Sequence, residues 1–201
     1  LPDIKTIRTF AKESDYDIHS PVFSAHQKCN SGNDKMLYYI ASRFRLPKKF
    51  EDLIYLSQVT QLECISDATE HWRRNKGRCN GSIYWQFNDC WGVCSWSSLD
   101  YYGNYKALQY RAKHFNAPVS VSIEDKDGKV KMFILNDKNE NKKVTLKCKI
   151  FDFENGIIQE KSREFEVEAL ENKECFTVYE KQIRQKYDLR RTGIKAELYE
   201  N

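Results

Sequence analysis

The sequence has 201 residues, 40% of them hydrophobic, which is enough apolar side chain for a packed core in one large domain or two small ones. Its 33 basic and 29 acidic side chains are interspersed and leave a formal charge of +4; this is the pattern of a solvated surface, and it argues against nucleic acid as a partner. No stretch is apolar enough to cross a membrane, and the seven cysteines form an odd set without a CxxC pair, which argues against a disulfide framework or a zinc module.

Reduced thiols place the protein in the cytoplasm, with a lysosomal or secreted location left open, and Cys90 and Cys94 are expected to be small buried hydrophobes. The opening, Leu1-Pro2-Asp3-Ile4-Lys5, has no signal-peptide pattern. It passes at once into an amphipathic pattern, as in a chain that begins inside a longer protein.

Pro2 followed by Ile4, Ile7 and Phe10 at helical spacing predicts a short helix over residues 2–12. Residues 13–34 are loop-like, with Ser20-Pro21 and Ser31-Gly32-Asn33-Asp34 as breakers. A second helix is predicted from Lys35 to Phe44. A long one follows over residues 47–75, with Glu51 and Asp52 at its positive end, Arg73 and Arg74 at its negative end, and a break near Thr60 as an option. Ile83 to Phe87 is a continuous apolar run expected to form a buried strand. A final helix is predicted from Tyr105 to Phe115, stopped by Asn116 and Pro118. From Pro118 the pattern alternates. Val119–Ile123, Val130–Leu135, Val144–Phe151, Ile157–Ile158, Phe165–Val167, Cys175–Tyr179 and Ile194–Leu198 are predicted strands, with a hairpin turn at Asp125–Gly128 and a helical turn within Lys181–Leu189. Residues 118–201 are therefore expected to form a small antiparallel β-sandwich of immunoglobulin type, with a domain boundary near residue 117.

The chemistry is concentrated between Gly81 and Gly103, where three of the four tryptophans fall within twelve residues. Trp85, Asn88, Asp89, Trp91, Trp96 and Asp100 combine flat aromatic faces with short carboxamide and carboxylate groups. That is the make-up of a sugar site: rings stack on the apolar face of a pyranose and the polar groups take its hydroxyls. The run Trp85-Gln86-Phe87-Asn88-Asp89, then Ser95-Trp96-Ser97-Ser98-Leu99-Asp100-Tyr101-Tyr102-Gly103-Asn104-Tyr105-Lys106, resembles the β-mannosidase branch of glycoside hydrolase family 2. Phe50–Gln58, Glu70–Arg73, His26-Gln27 and Gly32-Asn33 are similar to that branch too, in the same order, so the likeness runs over residues 1–137.

The resemblance implies an α/β plus all-β fold: residues 1–117 as the C-terminal part of a (β/α)8 TIM barrel, with Gly81–Asp89 as its eighth strand, followed by the immunoglobulin-like antiparallel β-sandwich. It implies a retaining enzyme that removes terminal β-mannose, with Trp85 as the platform of the cleavage subsite. Asn88 and Asp89 would shape its floor or hold the loop, Trp96 and Asp100 would line its rim, and His26 would reach its mouth. Retaining glycosidases need two carboxylates about 5–5.5 Å apart, and in this family both are glutamates on earlier strands. The chain is therefore expected to contain no catalytic residue, to be inactive alone, and to have the rest of the barrel and the N-terminal domains as partners beside the β-mannoside substrate. No metal or organic cofactor is implied. Gly92 departs from the family, which usually has proline there.

Blander readings exist for most of these residues. Trp85 also fits barrel filling, and Asp89 and Asp100 also fit turn-holding roles. Lys106 is expected to pair with Asp100, and Glu70, near Arg73 and Arg74 on the long helix, is expected to make a surface or interhelix ion pair rather than a catalytic pair with Asp89. The sandwich aromatics form no grouped face, so a supporting role is expected for that domain. The rival functions are a non-catalytic carbohydrate-binding or scaffolding module, and another family 2 specificity for galactosides or glucuronides.

Overall fold

The computed structural model describes residues 1–200, in two units. One comprises Leu1–Ala68 with Ser82–His114, the other Thr69–Gly81 with Phe115–Asn201.

The first unit is helical. It contains α1 (Ile4–Ile7), a 3-10 turn (Glu13–Asp15), α2 (Pro21–Ala25), α3 (Gly32–Arg43), most of α4 (Phe50–Arg74) and α5 (Ala107–Phe115) as far as His114. Ser20 starts α2 because its hydroxyl accepts from the Phe23 amide, with Pro21 already at the helical φ. The long helix is continuous through Thr60, whose hydroxyl donates back to the Leu56 carbonyl, 2.8 Å away, within the helix. Ile7, Phe23, Ile40, Leu53, Ile54 and Cys94 form the centre of its core. The predicted helix over 2–12 shrinks to one turn.

The second unit is a sandwich of two antiparallel three-stranded sheets. They are built from β1 (Val119–Lys126), β2 (Lys129–Asn136), β3 (Lys142–Asp152), β4 (Gly156–Val167), β5 (Asn172–Tyr179) and β6 (Thr192–Glu200), in the orders β1-β2-β5 and β4-β3-β6, with α6 (Glu180–Arg184) between β5 and β6. Alternation on β3 is strict: Val144, Leu146, Cys148 and Ile150 are buried with Met132 and Ile134 of β2, and intervening residues face outward. The β1–β2 hairpin turns at Asp127 (φ 52°) and Gly128 (φ 70°), the left-handed pair that matches strand twist. Two predicted strands, Ile157–Ile158 and Phe165–Val167, are one long β4.

The segment Thr69–Gly81, including the last turn of α4, is held against the first sheet by charge. Arg73 donates to the Phe115 and Ala117 carbonyls (2.5 and 2.8 Å), to Ser120 Oγ (3.0 Å) and to Asp137 (2.8 Å), and Lys76 reaches Asp137 at 2.5 Å. Glu70 is buried and accepts from Ser122 Oγ at 2.9 Å, while Arg74 donates to the same hydroxyl at 2.5 Å. The strand serine thus joins two side chains of the helix end through one hydroxyl.

Two expectations are corrected. The TIM barrel is not in this chain: among the described residues, 1–117 contain helices and loops but no strand. The run Ile83–Phe87 is likewise neither a strand nor buried, with Ile83 at 100%, Trp85 at 74% and Phe87 at 59% exposure. A strand is defined by the neighbour it bonds to, and the bridge beside this run, Asn88 with Leu99, begins one residue past it.

Candidate functional site

The site is the segment from Tyr84 to Lys106, and its interior is polar. Asp89, 3% exposed, accepts from Ser95 Oγ (2.5 Å), Ser97 Oγ (2.7 Å) and Gln86 Nε2 (3.3 Å), and the Lys106 ammonium stands 3.7 Å from it. Lys106 donates to Ser97 Oγ at 2.8 Å. Burial pushes its ammonium below the ordinary value, and the nearby Asp89 carboxylate opposes that shift. Lys106 thus pairs with Asp89, correcting its expected pairing with Asp100. Ser95 and Ser97 are the residues that sequence reasoning missed. Their spacing of two, which puts both hydroxyls on one side of an extended strand of backbone, was the available signal.

Asp100, also buried, belongs to a second cluster. It accepts from Thr6 Oγ1 (2.6 Å), from the backbone amides of Tyr102 (3.1 Å) and Asn104 (2.9 Å), and from Asn104 Nδ2 (3.1 Å). Burial raises its carboxyl, but the bonds from Thr6, Asn104 and Asp3 outweigh burial and hold it below the usual carboxylate range. Gly103, at φ 79°, closes the turn these bonds define.

His26 stands in a third cluster, a column of rings. It stacks on Phe10 at 4.0 Å and on Trp91 at 4.8 Å, and the Lys28 ammonium lies 5.2 Å over the Trp91 ring. Its Nδ1 donates to the Gly92 carbonyl at 2.5 Å, which fixes the tautomer and leaves Nε2 as an acceptor in the neutral ring. The missing side chain at Gly92 has a use here, because a Cβ there would lie 3.1 Å from the Phe10 ring. Gly32 likewise lies under the Gln27 side chain, where an added Cβ would stand 2.5 Å from Cδ. Cys94 is buried in the apolar core, whereas Cys90, also expected to be buried, is exposed.

What remains outside is aromatic and amide. Trp85 and Asn88 are exposed, and so is Trp96, at 47%, while its carbonyl accepts from Gln61 Nε2 at 2.5 Å. The Trp85–Gln86 peptide is cis. The Phe87 carbonyl accepts from the Leu99 amide at 2.8 Å, which ties the exposed segment to the loop that carries Trp96 and Asp100. Of the six expected binding residues, Trp85, Asn88 and Trp96 therefore present groups to solvent. His26 is half-buried, and Asp89 and Asp100 spend their oxygens inside the fold. Among the described residues no group of three or more His, Cys, Asp or Glu is arranged to hold a metal ion.

Residues 128–201 match the family model described as the Mannosidase Ig/CBM-like domain. The bovine (Bos taurus) β-mannosidase is 39% identical over 140 residues, covering 63% of this chain. In the crystal structure of a β-D-mannosidase from Dictyoglomus thermophilum, 99% of this chain superposes with a TM-score of 0.90 at 31% identity, on 24% of that chain. The chain is homologous to the C-terminal region of β-mannosidases of glycoside hydrolase family 2. It spans 16% of the length of the bovine relative. An exo-chitosanase from Amycolatopsis orientalis shares the fold, with a TM-score of 0.74 at 21% identity, over 89% of this chain and 22% of that one. No helix among the described residues is long and apolar enough to cross a membrane.

Proposed function

We propose that this chain is the C-terminal portion of a retaining β-mannosidase that cleaves terminal β-mannose through a covalent glycosyl-enzyme intermediate. The observation that carries the reading is the division within the Tyr84–Lys106 segment: a buried Asp89–Ser95–Ser97–Lys106 cluster holds the backbone, and Trp85 and Trp96 are left facing outward. Trp85 is the platform for the mannose ring, Asn88 takes a hydroxyl, Trp96 and His26 flank the site, and Asp89 and Asp100 are positioning residues. The exposed Ile83 and Phe87 are covered by a barrel whose strands lie outside residues 1–201, and the catalytic glutamates lie there as well. The free thiols suit a reducing compartment.

The test is hydrolysis of p-nitrophenyl β-mannoside by this chain and by the longer protein that carries it. The chain alone is expected to be inactive and the longer protein active, with Trp85→Ala lowering kcat/KM about a hundredfold, or about 2.7 kcal/mol. Activity in the isolated chain would overturn the placement of the glutamates. A longer protein that cleaves a glucosaminide or galactoside in place of the mannoside would overturn the substrate.

A further inference from the structure

Within the second unit, where β4 and β5 form free edges of their sheets, a cavity of about 350 Å³ opens into the sandwich. That volume lies in the range of small-molecule sites, about 300–1,000 Å³. Its wall is apolar, formed by Cys148 and Ile150 of β3, Phe176 and Val178 of β5, and Ile183 of α6. The β3–β4 register shifts here: Ile150 pairs with Gln159 and Phe151 with Ile157, so Ile158 has no cross-strand partner, and both Ile158 and Gln159 line the cavity. Such a bulge re-aims side chains and interrupts edge pairing.

The mouth is polar and basic. Lys161, opposite Cys148 in the register and so on its face, lines it together with Gln159, Gln182, Lys186 and Tyr187. The nearest acidic residues in sequence are engaged elsewhere: Glu160 pairs with Lys147, Glu180 with Arg184 and Asp188 with Arg190. Among the described residues, neither Lys161 nor Lys186 has an ion pair. The one hydroxyl along the β5 wall, Thr177 Oγ1, is also engaged, donating to Glu174 at 2.9 Å.

We propose that this cavity binds a small organic anion with an apolar body. An aryl or short acyl group lies against Ile150, Phe176 and Ile183, and the carboxylate meets the ammonium groups of Lys161 and Lys186. A sugar suits the wall poorly, because hydroxyls around its ring would be desolvated against side chains that return no hydrogen bond. The anion leaves both lysines in water while burying only its apolar part.

The test titrates 4-phenylbutanoate, its neutral counterpart 4-phenylbutanamide, and methyl β-mannoside into the protein carrying labelled isoleucine and valine methyls, read by NMR. Saturable shifts are expected at Ile150, Ile158, Val178 and Ile183, with the carboxylate binding about tenfold more tightly than the amide. The double variant Lys161→Gln/Lys186→Gln, which changes only exposed side chains, is expected to remove that tenfold difference and leave the other methyl resonances in place. Equal affinity for carboxylate and amide, carboxylate binding unchanged in the double variant, or saturation by the mannoside alone would each overturn the proposal. So would the absence of saturable shifts.

Discussion

The two units satisfy their polar and apolar groups in opposite ways. In the second, every strand has a partner, the inward side chains of both sheets meet in one core, and the Arg73 guanidinium finds four acceptors within the unit. In the first, the helices close over a core, but Ile83, Trp85 and Phe87 stand in solvent on a segment that stops short of the Asn88–Leu99 bridge. The lesson is that alternation makes a sheet only where a second strand supplies the ladder. An aromatic run without that strand is a surface, and large exposed apolar surfaces mark interaction sites.

The sharpest way to break this contrast is to attack the polar cluster that gives the first unit its shape. Lys106→Met leaves the Asp89 carboxylate buried without its cation and is expected to destabilise that unit by about 3–5 kcal/mol. Three of the four tryptophans, Trp85, Trp91 and Trp96, lie in the first unit, and Trp72 lies in the second. Urea unfolding followed by fluorescence in a Trp72→Phe background therefore reads the first unit, and an unchanged midpoint would remove Lys106 from the account of the site.

Arg73→Ala is the matching perturbation of the second unit. Losing charge-assisted bonds to two carbonyls, a hydroxyl and Asp137 is expected to cost about 3 kcal/mol. Hydrogen exchange should show faster opening of β1 and β2, while amides of α2 and α3 keep their protection. Equal acceleration in both sets would mean that the two units do not open separately.

Acid provides a third, smaller separation. The Asp100 carboxyl is held below its ordinary value, so the stability it contributes is complete above the unfolded value of about 3.9 and is lost as pH falls through the lowered folded value. Asp100→Asn should flatten the acid limb of the first unit's stability curve, read by the same fluorescence. Asp137 is subject to burial as well, and the Lys76 and Arg73 side chains bring it below its usual range, so the second unit should retain an acid limb in that variant. The smallest effect is at the β1–β2 turn. Asp127→Asn places the stronger hairpin pair, Asn-Gly, at the two left-handed positions and should stabilise the second unit by about 0.5 kcal/mol, measured as a higher Tm.

Much of this molecule was legible residue by residue. The alternation from Val119 to Leu198 located five of the six strands to within a few residues, because a side chain on a sheet feels only which face it is on; β4, whose middle is exposed on both faces, was read as two. The long helix was equally plain from Phe50, Leu53, Ile54 and its end charges, and the density of aromatics beside Asn88 and Asp89 pointed to the candidate site. The partner of Lys106 was not legible. Sequence spacing suggested Lys106 with Asp100, whereas chain folding brings Lys106 to Asp89, and it sets Ser122 against Glu70, 52 residues away.

By itself, then, the sequence determined the local periodicities, the turn at Asp127-Gly128 and the chemical character of the Trp85–Asp100 stretch, since each depends on neighbours a few positions apart. Only the tertiary structure decided that Asp89 and Asp100 face inward while Trp85 and Trp96 face outward. The physical reason is that a carboxylate goes wherever enough donors gather to replace its water, and those donors (Ser95, Ser97, Lys106, Thr6 and Asn104) come together only when the loop has closed.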